Sequence, residues 1–295
     1  MTQPDARASN PGRFQSSRLS GLLVAAHPFP AVLNGFAGGL VHVVAAGRLS
    51  PTSLGVAASI ALIHASIGTM NDWVGRDSDR LSNPDKPIVR GVVAPLEVLA
   101  ASVLTGLAGL MGAWATHALP IGLAILLAGA AYNLALKGTL WSWAPYAVAI
   151  PSVAVWAFLA AGSTSPWIWA SYAVGAAMAV ALNLANTLPD LEGDAALETA
   201  GLSHRLGERR SQMAAVTLLI VSSAGVAGPA LGAALPAPGI AALAIGGIGA
   251  WVMAAGYRRG GRAALRRAWF ACALSSVGLA ACWAALLKGI TEVVQ

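Results

Sequence analysis

Nine apolar runs, each about 18 to 28 residues long, set what this chain can become. They fall at roughly 19–46, 52–72, 94–116, 119–136, 144–162, 166–188, 211–233, 237–257 and 264–288. A helix needs about 20 apolar residues to cross the hydrocarbon core of a bilayer. Only 10% of the residues are charged, against about 25% in a typical soluble domain. The runs are divided by Pro, Gly and charge. The Leu119-Pro120 step splits 94–136, and Pro236 with Pro238 splits 211–257; each combined run is too long for one span. The pattern predicts an all-α, polytopic membrane protein: nine transmembrane helices around a central cavity, in one domain over 18–295. Residues 1–17 are polar, contain Pro4, Pro11 and Gly12, and read as a disordered cytoplasmic tail.

Positive charge sets the orientation. With nine spans and the N-terminus inside, sixteen of the eighteen Lys and Arg fall on the inner side, leaving Arg48 and Lys288 outside. This is the bias expected when the N-terminus and the even-numbered connections of a cell-membrane protein are cytoplasmic. The net charge of +6 is accounted for by an anionic leaflet, and no nucleic-acid-binding pattern is present. Cys272 and Cys282 are ten residues apart on one predicted helix, roughly 15 Å, too far for a disulfide. Trp141, Trp143, Trp167 and Trp169 lie near predicted span ends, where an interfacial belt is their ordinary role.

Two charged stretches interrupt this apolar pattern, and both fall on the predicted cytoplasmic side. The first, NDWVGRDSDRLSNPDKPIVRG, runs from Asn71 to Gly91. Asp72 and Asp79 are seven residues apart and share a helical face, with Asn71 close to it. Asp77, two residues before Asp79, points elsewhere on a regular helix. The second stretch, NTLPDLEGDAALETAGLSHRLGERR, runs from Asn186 to Arg210. There Asn183, Asn186, Asp190 and Asp194 are spaced by 3, 4 and 4, again one helical face. Carboxylates gathered from two helices repel unless a cation lies between them. Oxygen ligands without a Cys/His cluster favour Mg²⁺, or Mn²⁺, over zinc. Mg²⁺ is commonly held by one or two carboxylates plus substrate phosphates. The residues therefore predict a Mg²⁺-dependent diphosphate site under an apolar, helix-lined cavity, fitted to an isoprenoid diphosphate.

The pattern N-D-x-x-[D]-x-x-x-D followed by N-P-D-K-P-I, and later D-L-E-G-D followed by H-R-L-G, resembles the UbiA superfamily of intramembrane prenyltransferases. The resemblance covers essentially the whole chain. It implies Mg²⁺ ions bridging the diphosphate of a prenyl donor. Asn71, Asp72 and Asp79 match the first motif, and Asp190 and Asp194 the second, as the catalytic and metal-holding set. Two positions depart from the superfamily pattern. Its middle Asp of the first motif falls on Gly75, so Asp77 would join the metal ligands only if the helix unwinds there. An upstream Asp of the second motif falls on Thr187.

The expected diphosphate contacts are Arg76, Lys86, Arg90, Lys137 in YNLALKG, and Arg205. Asn34 in span one, His64 in span two, Tyr132, Asn183 and Asn186 are the expected cavity-lining or substrate-binding polar residues. His27 with Pro28 marks a kink early in span one. The expected partners are a prenyl diphosphate donor, a lipophilic or aromatic acceptor and the bilayer. Two other readings use the same residues. One is a UbiA-type terpene cyclase, a lyase needing no acceptor; the other is a non-catalytic prenyl-lipid binding or transport protein. A CDP-alcohol phosphotransferase expects D-G-x-x-A-R, which the sequence lacks.

Overall fold

The computed structural model describes residues 17–191 and 201–294. Ser17 caps the first helix, its hydroxyl accepting from the Ser20 amide at 3.2 Å. All regular structure among the described residues is helical, with no strand. The helices are α1 Arg18–Ala25, α2 Pro28–Ala46, α3 Pro51–Ser82, α4 Pro95–Ala115, α5 Leu119–Ala131, α6 Ala144–Ala160, α7 Ala170–Thr187, α8 Leu202–Leu206, α9 Glu208–Gly232, α10 Pro236–Arg259 and α11 Arg262–Val294. A π-helical turn, Tyr132–Leu136, extends α5.

The nine apolar runs become nine apolar helical segments. Eight of them, among the described residues, are long and apolar enough to cross a membrane; α6, at 17 residues, is a shorter one. Proline opens several of these helices, including α2, α3, α4 and α10, where its missing N–H is no loss. The predicted breaks are present: His117 and Ala234 take positive φ at 57° and 56°, turning the chain between α4 and α5 and between α9 and α10. The first predicted span is two helices, because His27 takes φ 50° and breaks the chain before Pro28.

Consecutive helices pack as neighbours, and α11 closes the ring by contacting both α2 and α7. A Cβ on Gly35 of α2 would come within 2.5 Å of the Ala57 carbonyl oxygen of α3, so glycine permits this close approach. Small residues serve in this way where lipid gives no hydrophobic drive between helices. The core runs from α2 to α11 and includes Ile60, Ile63, Trp156, Leu219 and Met253, each fully buried. Cys272 and Cys282 are buried free thiols. Trp141, Trp167 and Trp169 are exposed, as a lipid-interface belt requires.

Candidate active site

Helix α3 overshoots the length of a membrane span. It runs unbroken for 32 residues, so Asn71, Asp72 and Asp79 lie on one helix as their spacing predicts. It stops at Asn83, which has φ −140° and ψ 63°, because the following Pro84 disfavours the helical conformation before it. The chain then turns back: the Lys86 amide donates to the Asn83 carbonyl at 3.1 Å. This turn carries the Lys86 ammonium onto the acidic face. Its Nζ lies 2.8 Å from Asp72 Oδ1 and 2.8 Å from Asp79 Oδ2. Asn83 Nδ2 donates to the other Asp79 oxygen at 3.3 Å. Both carboxylates are buried, with side chains 2% and 7% exposed. Burial pulls the Lys86 pKa down, but the Asp72 and Asp79 carboxylates outweigh it, and the net shift is upward from the ordinary 10.5.

Asp72 has a second partner that sequence spacing did not reveal as a site residue. His27 Nε2 lies 2.9 Å from Asp72 Oδ1, across 45 positions of sequence. The break between α1 and α2 makes this reach possible. A Cβ on Gly68, one turn before Asp72, would sit 2.9 Å from the Ala26 carbonyl oxygen and 3.1 Å from His27 Cβ. Glycine there lets the break nestle against α3. The His-Pro step was the available signal: a residue held just before a helix start is fixed in direction.

Asn133 was also missed. Its Oδ1 accepts from Asn71 Nδ2 at 2.8 Å, and its Nδ2 donates to the Ile67 carbonyl at 2.9 Å. It sits in the π turn Tyr132–Leu136, a helix irregularity often found at functional sites. Tyr132 is buried and meets the Tyr146 ring edge-on at 5.5 Å. Asn186 Nδ2 in turn donates to Tyr146 Oη at 3.3 Å. The first acidic stretch is thus connected through Asn133, Tyr132 and Tyr146 to α7, which leads into the second.

The second stretch does not continue as one α-helix. Helix α7 ends at Thr187, and a single 3-10 turn, Leu188–Asp190, follows. Pro189 removes a donor that a continuing helix would use. The regular helical spacing expected from 183 and 186 to 190 is therefore interrupted at Leu188. Asp190 is described through its backbone, and Asp194 lies outside the described residues. Asn183 is fully buried; its Nδ2 donates to the Ser142 carbonyl at 3.2 Å, and its Oδ1 has no hydrogen-bond partner. Thr187 hydrogen-bonds the Ser203 hydroxyl, tying α7 to α8.

The other expected residues are placed unevenly. The helix does not unwind at Gly75, so Asp77 stays exposed beside Arg76 and Arg80 at 3.8 Å from each and does not join Asp72 and Asp79. Arg76 turns back to the Trp73 carbonyl at 2.7 Å and lies 5.1 Å over its ring, away from the carboxylate pair. Arg90, Lys137 and Arg205 are exposed. His64 bonds the Ile60 carbonyl of its own helix at 2.9 Å. Asn34 lines an apolar cavity between α2, α6, α7, α9 and α11, with Ser171, Ser222, Ser276 and Trp283 among its other walls, while its Nδ2 bonds the Pro30 carbonyl at 2.8 Å. At one end of the bundle Phe29 packs against Trp269 and Phe270, at 5.3 and 4.5 Å between rings, joining the starts of α2 and α11.

Among the described residues no group of three or more His, Cys, Asp or Glu is set to hold a metal alone. The described half supplies two buried carboxylates already shaped around a cation. That oxygen donor set fits Mg²⁺, which takes few protein ligands and completes its shell with phosphate and water.

A bundle of membrane helices with paired, cation-bound carboxylates at one mouth is the build of an intramembrane prenyltransferase. The chain belongs to the UbiA prenyltransferase family, whose sequence profile matches residues 27–284. It is 30% identical over 212 residues to a digeranylgeranylglyceryl phosphate synthase of Natronomonas pharaonis, covering 70% of this chain and 76% of that one. It is 25% identical to the chloroplastic chlorophyll synthase of Arabidopsis thaliana, over 60% of this chain and 49% of that one. Its fold matches a UbiA homologue from Archaeoglobus fulgidus bound to GPP and Mg²⁺ with a TM-score of 0.67, at 18% identity, over 90% of this chain and 99% of the other. The apo UbiA homologue from Aeropyrum pernix K1 matches with a TM-score of 0.64 at 16% identity, over 90% and 98%.

Proposed function

We propose that this membrane enzyme transfers the isoprenyl group of a prenyl diphosphate to a lipophilic acceptor at the cytoplasmic leaflet, with Mg²⁺ held by Asp72, Asp79, Asp190 and Asp194. The observation that carries the reading is the pair of buried carboxylates, Asp72 and Asp79, that shares one cation at the mouth of an apolar bundle. A divalent cation there neutralises charge on the departing diphosphate. His27 and Asn83 fix the two carboxylates in direction, and Asn71 is fixed by Asn133. Lys86 supplies positive charge for the diphosphate, joined by the exposed Arg90, Lys137 and Arg205. The cavity beside Asn34 takes the apolar part of a substrate. In the reaction the allylic C–O bond breaks and its electron pair leaves with diphosphate. The acceptor's nucleophilic atom forms the new bond to carbon and gives up a proton. Fixed charges aimed at the leaving group are the largest expected contribution to rate.

The orientation rests on the charge asymmetry: the N-terminus and both acidic stretches face the cytoplasm. The relatives' names describe lipid and pigment products, digeranylgeranylglyceryl phosphate and chlorophyll. This supports a lipophilic acceptor rather than an aromatic acid. The test is to supply membranes containing the protein with geranylgeranyl diphosphate and Mg²⁺, adding in turn a glycerol-phosphate ether lipid, a chlorophyllide and 4-hydroxybenzoate. The expected product is a prenylated lipid or pigment that requires acceptor. A hydrocarbon formed from donor alone would replace the transferase with a cyclase.

A further inference from the structure

The Lys86 ammonium bonds the same oxygens, Asp72 Oδ1 and Asp79 Oδ2, that the proposed metal would use, at 2.8 Å each. Both carboxylates are nearly sealed from water, and Lys86 itself is 20% exposed. Two like charges this close in a buried site are held together by the cation between them. A lysine and a divalent ion cannot both occupy that position. Entry of the metal must displace Lys86, which then gives up both carboxylate partners with no anion in their place. The turn Asn83–Lys86 gives it a short tether at the mouth, where a diphosphate would arrive. His27 shares Asp72 Oδ1 but approaches from the break between α1 and α2, so it can keep orienting Asp72 after Lys86 leaves.

We propose that Lys86 is an exchange cation that couples metal loading to donor binding: it competes with Mg²⁺ for Asp72 and Asp79, and is drawn off by the diphosphate. The inference rests on the metal–diphosphate reading of the site and adds an order to it. Metal alone binds weakly, because it must eject Lys86 into an uncompensated position. Metal with donor binds tightly, because the ejected ammonium has a partner. By linkage the donor gains from metal the same factor that metal gains from donor. Arg76 does not take this role, since its guanidinium is engaged with Trp73.

The test uses the purified full-length protein in detergent. Mg²⁺ affinity is measured by calorimetry, alone and with the unreactive donor analogue geranyl S-thiolodiphosphate. The variants are Lys86→Met and Lys86→Gln, with Arg48→Met as a control for loss of a distant positive charge. The expected result is that both Lys86 variants bind Mg²⁺ alone about tenfold more tightly than the parent, and that the analogue's enhancement of metal affinity shrinks by a similar factor. Arg48→Met behaves as the parent. A measurement on the unaltered protein stands beside this in case the variants do not fold: labelling of Lys86 by an amine reagent, read by mass spectrometry. Mg²⁺ alone at saturation should raise the labelling, and Mg²⁺ with the analogue should suppress it. Unchanged or weaker Mg²⁺ binding in the Lys86 variants, or labelling indifferent to Mg²⁺, overturns the exchange while leaving the metal–diphosphate site standing. Absence of Mg²⁺ binding to the unaltered protein even with the analogue removes the site reading itself, and the exchange with it.

Discussion

Asn71 gives its side-chain amide to Asn133, 62 positions away, at 2.8 Å, and Asn133 returns to the same helix by bonding the Ile67 carbonyl at 2.9 Å. The amide at 133 thus staples the π turn after α5 to the start of the acidic face. Asn133→Leu keeps the branched shape but removes both hydrogen bonds, leaving the Asn71 side-chain amide without its partner. A buried unpaired polar group costs about 1–3 kcal/mol. The expected outcome is a lower unfolding temperature and a loss of kcat that exceeds the change in donor KM, read by thermal unfolding and steady-state kinetics.

His27 and Asp72 form the second long-range contact of the site. His27→Ala removes a group that orients a proposed metal ligand. Such orienting partners are worth about 10- to 100-fold in metal affinity. His27→Asn, which retains a donor on a shorter side chain, should recover part of it. Mg²⁺ titration in the presence of donor analogue measures both.

Gly68→Ala tests how the contact is built. The new Cβ meets the Ala26 backbone oxygen at 2.9 Å and His27 Cβ at 3.1 Å. Backbone must move, at a cost of about 1–3 kcal/mol for an overpacked site. The variant should phenocopy His27→Ala in metal affinity while also unfolding earlier.

Asp77 and Gly75 separate two readings of the first motif. Asp77 is exposed and pairs with arginines; Asp77→Asn should leave activity intact and change stability by less than about 0.5 kcal/mol. A Cβ at Gly75 would lie 3.0 Å from Asp79 Oδ2, on the acidic face. Gly75→Asp would add a third carboxylate there, and is expected to lower stability without metal and to raise Mg²⁺ affinity.

Lys86 also sets a pH dependence. Its folded-state pKa is raised above 10.5, so the stabilisation it gives is complete below 10.5 and is lost as pH rises through the higher folded value. Between pH 7 and 9 the stability difference between the parent and Lys86→Met should therefore be flat, and it should shrink only in strong alkali. Removing one partner of a buried ion pair costs about 3–5 kcal/mol, a deficit that saturating Mg²⁺ should narrow by about 1.4 kcal/mol, the equivalent of the tenfold gain in metal affinity. Chemical unfolding across pH reads both.

Much of this architecture was legible in the sequence. Hydrophobic length marked the segments that became α1 to α7 and α9 to α11, and Pro236 marked the turn at Ala234. The seven-residue spacing of Asp72 and Asp79 put them on one helix. The partners of those carboxylates were harder to read. His27 meets Asp72 only because α1 and α2 break at a non-glycine residue with positive φ, and periodicity carries no such information. Asn133 is aimed by a π turn, which shifts every side chain after it relative to a regular helix. Asn183 and Asp190 were expected on one face, but Pro189 places a 3-10 turn between them.

The central claim is that the Asp72–Asp79 pair holds a metal that activates a prenyl diphosphate. Its most direct measurement is diphosphate release from geranylgeranyl diphosphate by membranes containing the protein, with acceptor lipid present. Parent, Asp72→Asn and Asp79→Asn are compared with Mg²⁺ and with a chelator. The account predicts release by the parent that the chelator abolishes and that each substitution reduces by at least about a hundredfold, as for loss of a principal charge-stabilising group. Release that persists in the chelator, or that survives both substitutions, would contradict it.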